Sequence, residues 1–496
     1  MSEHHGPSLS ESDLRRFGAG EKRYGRIALL VGVVGLAAAI VWAMMLGKEG
    51  HGMQRFAFAY LTAFLYVLSI SVGAIAFLLL TYLFRGGWQV LFRRVPEVLG
   101  ANAVIVGIMA LPIVGFVMAN NGMLYSWAQP IDQIHYPMPL GEHSPFIYGQ
   151  QDGETREHPP ASTVAPDPHS NAAPQDFTIV PVQAHHPATP DAHGAAEPHA
   201  SGGHASAGGE HGPPHMIVDK RPWLNIPFFC LRLVLYMVVL GGMGLFLWRN
   251  SVMQDETGDP QRTRRAEVFA APGTLAFGLV VTYMTFDLIM SLDWTWYSTI
   301  FGVYYFAGSM IAGLAVIILL SMRLKRLGYL GSMSREHFHD LGKLLFGFIF
   351  FWAYIAYSQY VLIWYGSMPN EVGWYALRGV TTVSEQITPI SYVALLLLFG
   401  HLVIPFLALL SRHVKRRRFW LGFWAAWMLV MHYVDIWWLI MPQFEHQWIA
   451  LGPIEIGCLL GLLGLFAASA LKLMSQHSLV PLHDPRMAES LRFHNM

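Results

Sequence analysis

An imidazole and a carboxyl stand three residues apart in the apolar run Met431-His-Tyr-Val-Asp-Ile-Trp-Trp438. On a helix that spacing puts His432 and Asp435 on one face. Side by side they can pass a proton, because histidine titrates at about pH 6.5 and a carboxyl's proton affinity responds to its surroundings. The plainer alternative is a hydrogen-bonded pair that joins helices. Six further ionisable residues lie in or beside apolar runs: Arg232, Asp287, Asp293, Glu385, His401 and Glu455. Charge inside a bilayer is costly and by default marks a functional pathway. Arg232, in Phe228-Phe-Cys-Leu-Arg-Leu-Val-Leu-Tyr236, is expected to neutralise one of the acids, since a lone buried charge is expensive. Tyr236, one turn on, adds a second polar contact. Asp293 can cap the start of the helix that follows it; Asp287 has no such role open to it. His401 and His432 also admit a b-type haem between two imidazoles, although only two intramembrane histidines are present.

The elements that position these residues are membrane helices. The 496-residue chain is 54% hydrophobic and only 13% charged, about half the charged fraction of a typical soluble domain, which excludes an ordinary water-soluble enzyme. Lys+Arg equals Asp+Glu, so the basic excess of a nucleic-acid binder is missing. Cys230 and Cys458 stand far apart in apolar stretches, which excludes iron–sulfur, c-type haem and disulfide frameworks on this chain. No P-loop, GxGxxG or HExxH motif occurs, and no metal site is expected.

A bilayer span needs about 20 mainly apolar residues. Ten segments qualify: Ile27–Leu46, Phe56–Phe84, Val98–Met118, Phe228–Trp248, Pro272–Met290, Ser298–Met322, Leu344–Tyr365, Ile390–Leu410, Phe419–Met441 and Ile454–Met474. With residues 1–26 placed in the cytoplasm and the spans alternating, 25 of the 32 Lys/Arg fall on the cytoplasmic side, six on the other, and Arg232 within a span. That is the positive-inside pattern, with both termini inside and a cytoplasmic tail at 475–496. On this topology Arg232, Asp287, Asp293, Glu385 and Glu455 lie towards the outer face. Asp435 is deeper, and His432 and His401 are near the middle. The residues form a ladder, and Asp287, His432 and Asp435 are expected to make one hydrogen-bonded unit with Arg232 balancing its charge.

Spans one to three occupy 27–118 and the remaining seven 228–474, separated by an extracytoplasmic stretch, 119–227. Within it, 151–215 carries nine His, eleven Pro and one aromatic residue, Phe177. Such a segment cannot bury enough apolar area to offset its ordering entropy, and it is expected to be disordered and dispensable for folding.

Two long segments carry a family resemblance. Met290-Ser-Leu-Asp-Trp-Thr-Trp-Tyr-Ser-Thr-Ile-Phe-Gly-Val-Tyr-Tyr-Phe-Ala-Gly-Ser309 and Phe351-Trp-Ala-Tyr-Ile-Ala-Tyr-Ser-Gln-Tyr-Val-Leu-Ile-Trp-Tyr-Gly366 are similar to the NrfD/polysulfide-reductase-type membrane subunits. Among these they most resemble the ActF type of bacterial alternative complex III, a quinol:electron-acceptor oxidoreductase. The resemblance implies an all-α polytopic protein of ten transmembrane helices, with two four-helix bundles (spans two to five and six to nine) and the first and last spans flanking them. It implies residence in the bacterial inner membrane. It also implies no redox centre and no covalently bound cofactor on this chain, with quinone or menaquinone as the lipid-soluble ligand. The partners implied are a paralogous membrane subunit, an iron–sulfur subunit and haem c subunits, so that catalysis belongs to the complex rather than to this chain alone. A proton path or quinone-facing role falls on Arg232, Asp287, Asp293, His432 and Asp435. Tyr236, Glu385, His401 and Glu455 are weaker candidates. Two other classes fit the span count. A secondary transporter would use the ladder as its ion path, but no Gly/Pro-interrupted pair of spans appears at mid-membrane. A structural anchor would tolerate loss of the ladder.

Overall fold

The computed structural model describes residues 9–47, 51–119, 122–130, 215–380, 387–445 and 448–494. The insertion, up to residue 214, and Glu385 lie outside them. Among the described residues the chain is helical throughout, with no strand. Ten helices are long and apolar enough to cross a membrane: α1 Lys22–Leu46, α2 Gly52–Leu83, α3 Arg94–Met118, α4 Ile226–Thr257, α5 Gln261–Leu292, α6 Phe301–Arg326, α7 Arg335–Gly366, α8 Pro389–Leu410, α9 Arg418–Gln443 and α10 Pro453–Met474. This makes the chain a multi-pass membrane protein. A helix is the element such sequences must form, because it pairs its own backbone N–H and C=O groups where no water can.

Helices α2–α5 close one four-membered ring of neighbours and α6–α9 a second. The rings meet along α2 and α6. Every residue of α2 from Phe56 to Leu79 is buried, so this helix is the central post. The close approach depends on Gly73: a Cβ there would stand 2.0 Å from the Ser309 carbonyl oxygen. Outside the rings, α1 lies along α10, and α10 packs on α2. The α1–α10 seam is built of small residues: a Cβ on Gly32 would meet the backbone of α10 at 2.8 Å. The other side of α1 exposes Leu30, Val33, Val34 and Met44, as a lipid-facing helix does. Ten spans in two bundles with two flanking helices is therefore the observed architecture.

Both termini sit at the same end of the array, which we call the terminal end. The C-terminal segment folds back there and puts Asp484 into the first bundle, 2.6 Å from Arg93. Arg93 and Arg94 also grip Glu97 at 2.9 and 3.0 Å, and Arg94 pairs with Asp255. In the sequence these arginines read only as topology anchors. In the fold they are buried, because Glu97, Asp255 of α4 and Asp484 of the tail together balance them.

The N-terminal segment docks through the Asp13 carboxylate and through Phe17, which stacks on Tyr329 at 5.2 Å. Asp13 accepts from the Ser10 amide (2.9 Å) and hydroxyl (2.6 Å), and from the Ser332 amide (3.2 Å) and hydroxyl (2.5 Å) in the α6–α7 loop. Burial alone would raise its pKa, but these donors outweigh burial and hold it below the ordinary 3.8. A depressed carboxyl stabilises fully above its unfolded pKa and loses that contribution as pH falls through the folded one. The segment is therefore expected to resist proteolysis at neutral pH and to be released as pH falls below about 4. Asp13→Ala is expected to cost about 1–2 kcal/mol of local stability and release the segment at every pH. Equal cleavage of wild type and variant at pH 7 would contradict this.

Candidate functional site

The second bundle holds the buried carboxyl of Asp435 at its centre. The Tyr304 hydroxyl of α6 donates to Oδ1 at 2.5 Å, and the Trp352 indole N–H of α7 donates to Oδ2 at 3.2 Å. Both donors are neutral. His432, one turn back on α9, places Nδ1 4.0 Å from Oδ2. Its Nε2 meets the Ser69 hydroxyl of α2 at 2.9 Å. Ser69 gives its only hydrogen to the Tyr66 carbonyl, at 2.7 Å. The network therefore assigns the hydrogen to His432 Nε2, which donates to Ser69, and leaves Nδ1 as an acceptor facing Asp435. Among the described residues no group hydrogen-bonds to that Nδ1. Gly308 makes the room: a Cβ there would lie 2.8 Å from the His432 ring. The spacing of three residues thus did bring imidazole and carboxyl together, at a gap wider than a hydrogen bond.

His401 lies on the other side of Trp352, ring centroids 3.9 Å apart, and among the described residues neither of its nitrogens has a hydrogen-bond partner. It occurs in a π-helical turn, Leu397–Val403, a distortion frequent at functional sites. The Trp352 ring covers His401, and Ser69 takes the Nε2 of His432.

A cavity of 430 Å³ is walled by Tyr304 and Trp352, the two donors to Asp435, together with Gln359, Tyr375, Ser391 and Trp438; Asp435 itself is not in its wall. Tyr357 and Leu398 also line it and are themselves exposed, so it opens sideways between α7 and α8. Two of its wall residues are hydrogen-bonded to each other: the Gln359 amide donates to the Tyr375 hydroxyl (3.2 Å), and Gln359 accepts from the Ser298 hydroxyl (3.3 Å). An apolar cavity with a few convergent polar groups is the usual form of a small-molecule site.

The Asp287 centre is separate. Arg232 of α4 clasps this α5 carboxylate with Nε and Nη2 at 2.6 and 2.8 Å. The Tyr236 hydroxyl donates at 2.7 Å and the Trp223 indole at 3.0 Å. Trp223 and Phe228 cover the guanidinium at 4.1 and 4.3 Å. Arg232, Tyr236 and Asp287 meet as expected, but the single unit with His432 and Asp435 does not exist. The two carboxyls share no partner and belong to different bundles. Arg232 neutralises Asp287 where it stands, and four donor groups saturate the carboxylate.

The other candidates have local roles. Asp293 accepts from the amide (3.1 Å) and hydroxyl (2.6 Å) of Thr295 and so shapes its own turn; α6 starts eight residues later, capped by Ile300. Glu455 accepts from the Gly452 amide at 2.7 Å and from Arg55 at 2.7 and 3.0 Å, which makes it the N-terminal brace of α10.

The residues missed from sequence are Ser69, Tyr304, Gln359, Tyr375 and Arg378. Tyr304, Trp352 and Gln359 lie within the two aromatic segments already singled out. Arg378 reads as a stray charge in an outer loop but is buried, and its Nη1 and Nη2 donate to the Trp374 (3.0 Å) and Leu439 (2.7 Å) carbonyls. Burial pulls its pKa down to about 9, against the pull of Asp293, so it stays charged at neutral pH.

Among the described residues no three His, Cys, Asp or Glu converge as a metal site requires. No family model matches the chain, and no curated protein matches it.

Proposed function

We propose that the chain is the proton-conducting, quinone-facing membrane subunit of a respiratory quinol:electron-acceptor oxidoreductase, of the ActF type in alternative complex III. The observation that carries this reading is Asp435. It is a fully enclosed carboxyl held only by neutral donors, beside an imidazole acceptor and a laterally open aromatic cavity. A carboxyl in that setting can take up and release a proton without breaking an ion pair, and the cavity suits a flat lipid-soluble ring. The Lys/Arg bias makes the terminal end cytoplasmic, and the two resembling segments supply Tyr304 and Trp352. Partners are then a paralogous membrane subunit, an iron–sulfur subunit and haem c subunits in the bacterial inner membrane. A purely structural anchor is the second reading, favoured by the self-neutralised Arg232–Asp287 pair.

The test of membership is purification of the tagged chain from its native membrane. Iron–sulfur and haem c chains should accompany it, with quinol:cytochrome c turnover in the same fraction. A chain that elutes without redox partners would sink the proposal. Ala394→Trp, which fills the cavity, is expected to lower that turnover tenfold or more with the complex intact. Unchanged turnover would remove the cavity from the quinone path.

A further inference from the structure

The end of α6 meets the start of α9 at the terminal end, and the two helices leave a groove of 290 Å³ between them. Arg323 and Arg326 of α6 and Arg418 of α9 form its rim. Leu319 lies seven residues inward of Arg326, and Phe423 five residues inward of Arg418. At 1.5 Å per residue the groove therefore turns from cationic to apolar within about 10 Å. Phe419 and Phe423 line its lower half and are exposed. Other cations at this end have acids: Arg416 pairs with Glu336, Lys343 with Asp340, and Arg85 and Arg486 with Glu267. Among the described residues Arg323, Arg326 and Arg418 form no ion pair. Lys325, whose charge lies close to Arg418, donates to the Leu330 and Gly331 carbonyls, so it adds to the positive field without closing the groove.

We infer that this groove binds an anionic phospholipid of the surrounding membrane, its phosphate between Arg323, Arg326 and Arg418 and an acyl chain along Leu319, Phe419 and Phe423. Guanidinium forks match phosphate oxygens in geometry as well as charge. Arg323 and Arg326 stand three apart on one helix face, where like charges repel unless an anion lies between them. Basic pockets between membrane helices, at the level of the headgroups, suit such lipids. A lipid fits better than an acidic protein segment, because the lower half of the groove faces the acyl layer, where a peptide would bury unpaired backbone groups. Each cation near the surface is worth about fivefold in affinity for an anionic headgroup, so the three together supply about a hundredfold. The groove shares no wall residue with the aromatic cavity of α7 and α8, so its occupancy stands apart from the proposed redox role.

The test is native mass spectrometry of the purified full chain, stripped of lipid and titrated with phosphatidylglycerol or with phosphatidylcholine of the same acyl chains. Phosphatidylglycerol is expected to occupy one tight site, with about tenfold or greater preference over phosphatidylcholine. Arg323→Gln combined with Arg418→Gln, one change on each helix, should weaken that site about twentyfold. Gly422→Leu keeps every charge and fills the groove, since a Cβ there already lies 3.3 Å from the Met322 sulfur. It should lose the tight site too, and it decides the question if the double arginine variant does not fold. Arg264→Gln combined with Arg265→Gln removes the same charge from exposed positions at the same end and should leave the site unchanged. Equal binding of the two lipids, or a tight site that survives Gly422→Leu, would overturn the proposal. So would an equal loss in the Arg264 and Arg265 variant, which would reduce the effect to attraction by surface charge at large.

Discussion

Replacing Arg232 by Gln is expected to destabilise the protein by about 3–5 kcal/mol, the largest stability loss of any single change at the candidate residues. The variant leaves the Asp287 carboxylate buried with only Tyr236 and Trp223 as donors, and its desolvation is no longer offset by a cation. The guanidinium also holds Trp223 by donating to its carbonyl at 3.0 Å and by stacking, so the loop before α4 loosens as well. Asp287→Asn in the same background removes the orphaned charge and should restore about half of the loss. Thermal unfolding in detergent, followed by tryptophan fluorescence, reads both variants. If Arg232→Gln were as stable as the wild type, Asp287 would have to share its charge with another group, and the separation into two centres would fail.

Asp435→Asn is expected to leave assembly intact and to slow quinol-driven proton movement by at least tenfold. The amide keeps the shape of the carboxyl and an oxygen for Tyr304, but it cannot accept or release a proton. Its NH₂ faces the Trp352 indole, a donor against a donor, at a cost of about 1–3 kcal/mol. That loss is tolerable in a bundle of this size. Tyr304→Phe should show a milder slowing, because it removes the 2.5 Å hydrogen bond and leaves the titrating group. Equal, severe losses of assembly in both variants would point to a packing role.

The ten spans were legible because apolar length is a strong signal, whereas their grouping into two bundles was what the family resemblance implied. The helix-face argument also succeeded for His432 and Asp435, and for Arg232 with Tyr236, where partners are set by spacing along one helix. It failed across helices. Depth along the membrane normal places Asp287 and Asp435 as rungs of one ladder, but it carries no information about azimuth, and the two rungs belong to different rings. Polar residues without formal charge were passed over for a related reason. Ser69 and Tyr304 gain their meaning only when α2 and α6 converge on α9. Arg93, Arg94 and Arg378 were counted as topology markers, since nothing in their neighbourhoods of sequence announces that a C-terminal tail or an aromatic loop will bury them. Asp293 and Glu455 are the reverse case: acids near span ends that serve as local caps and braces.

The most direct measurement is the number of protons moved per electron when the purified complex, in sealed liposomes with an internal pH dye, oxidises quinol. With the wild type as reference, Asp435→Asn is expected to lower both that ratio and the turnover rate. Asp287→Asn, in a centre whose charge is already neutralised, should leave the ratio unchanged. An Asp435→Asn complex with wild-type ratio and rate would contradict the account and leave the chain as a structural anchor.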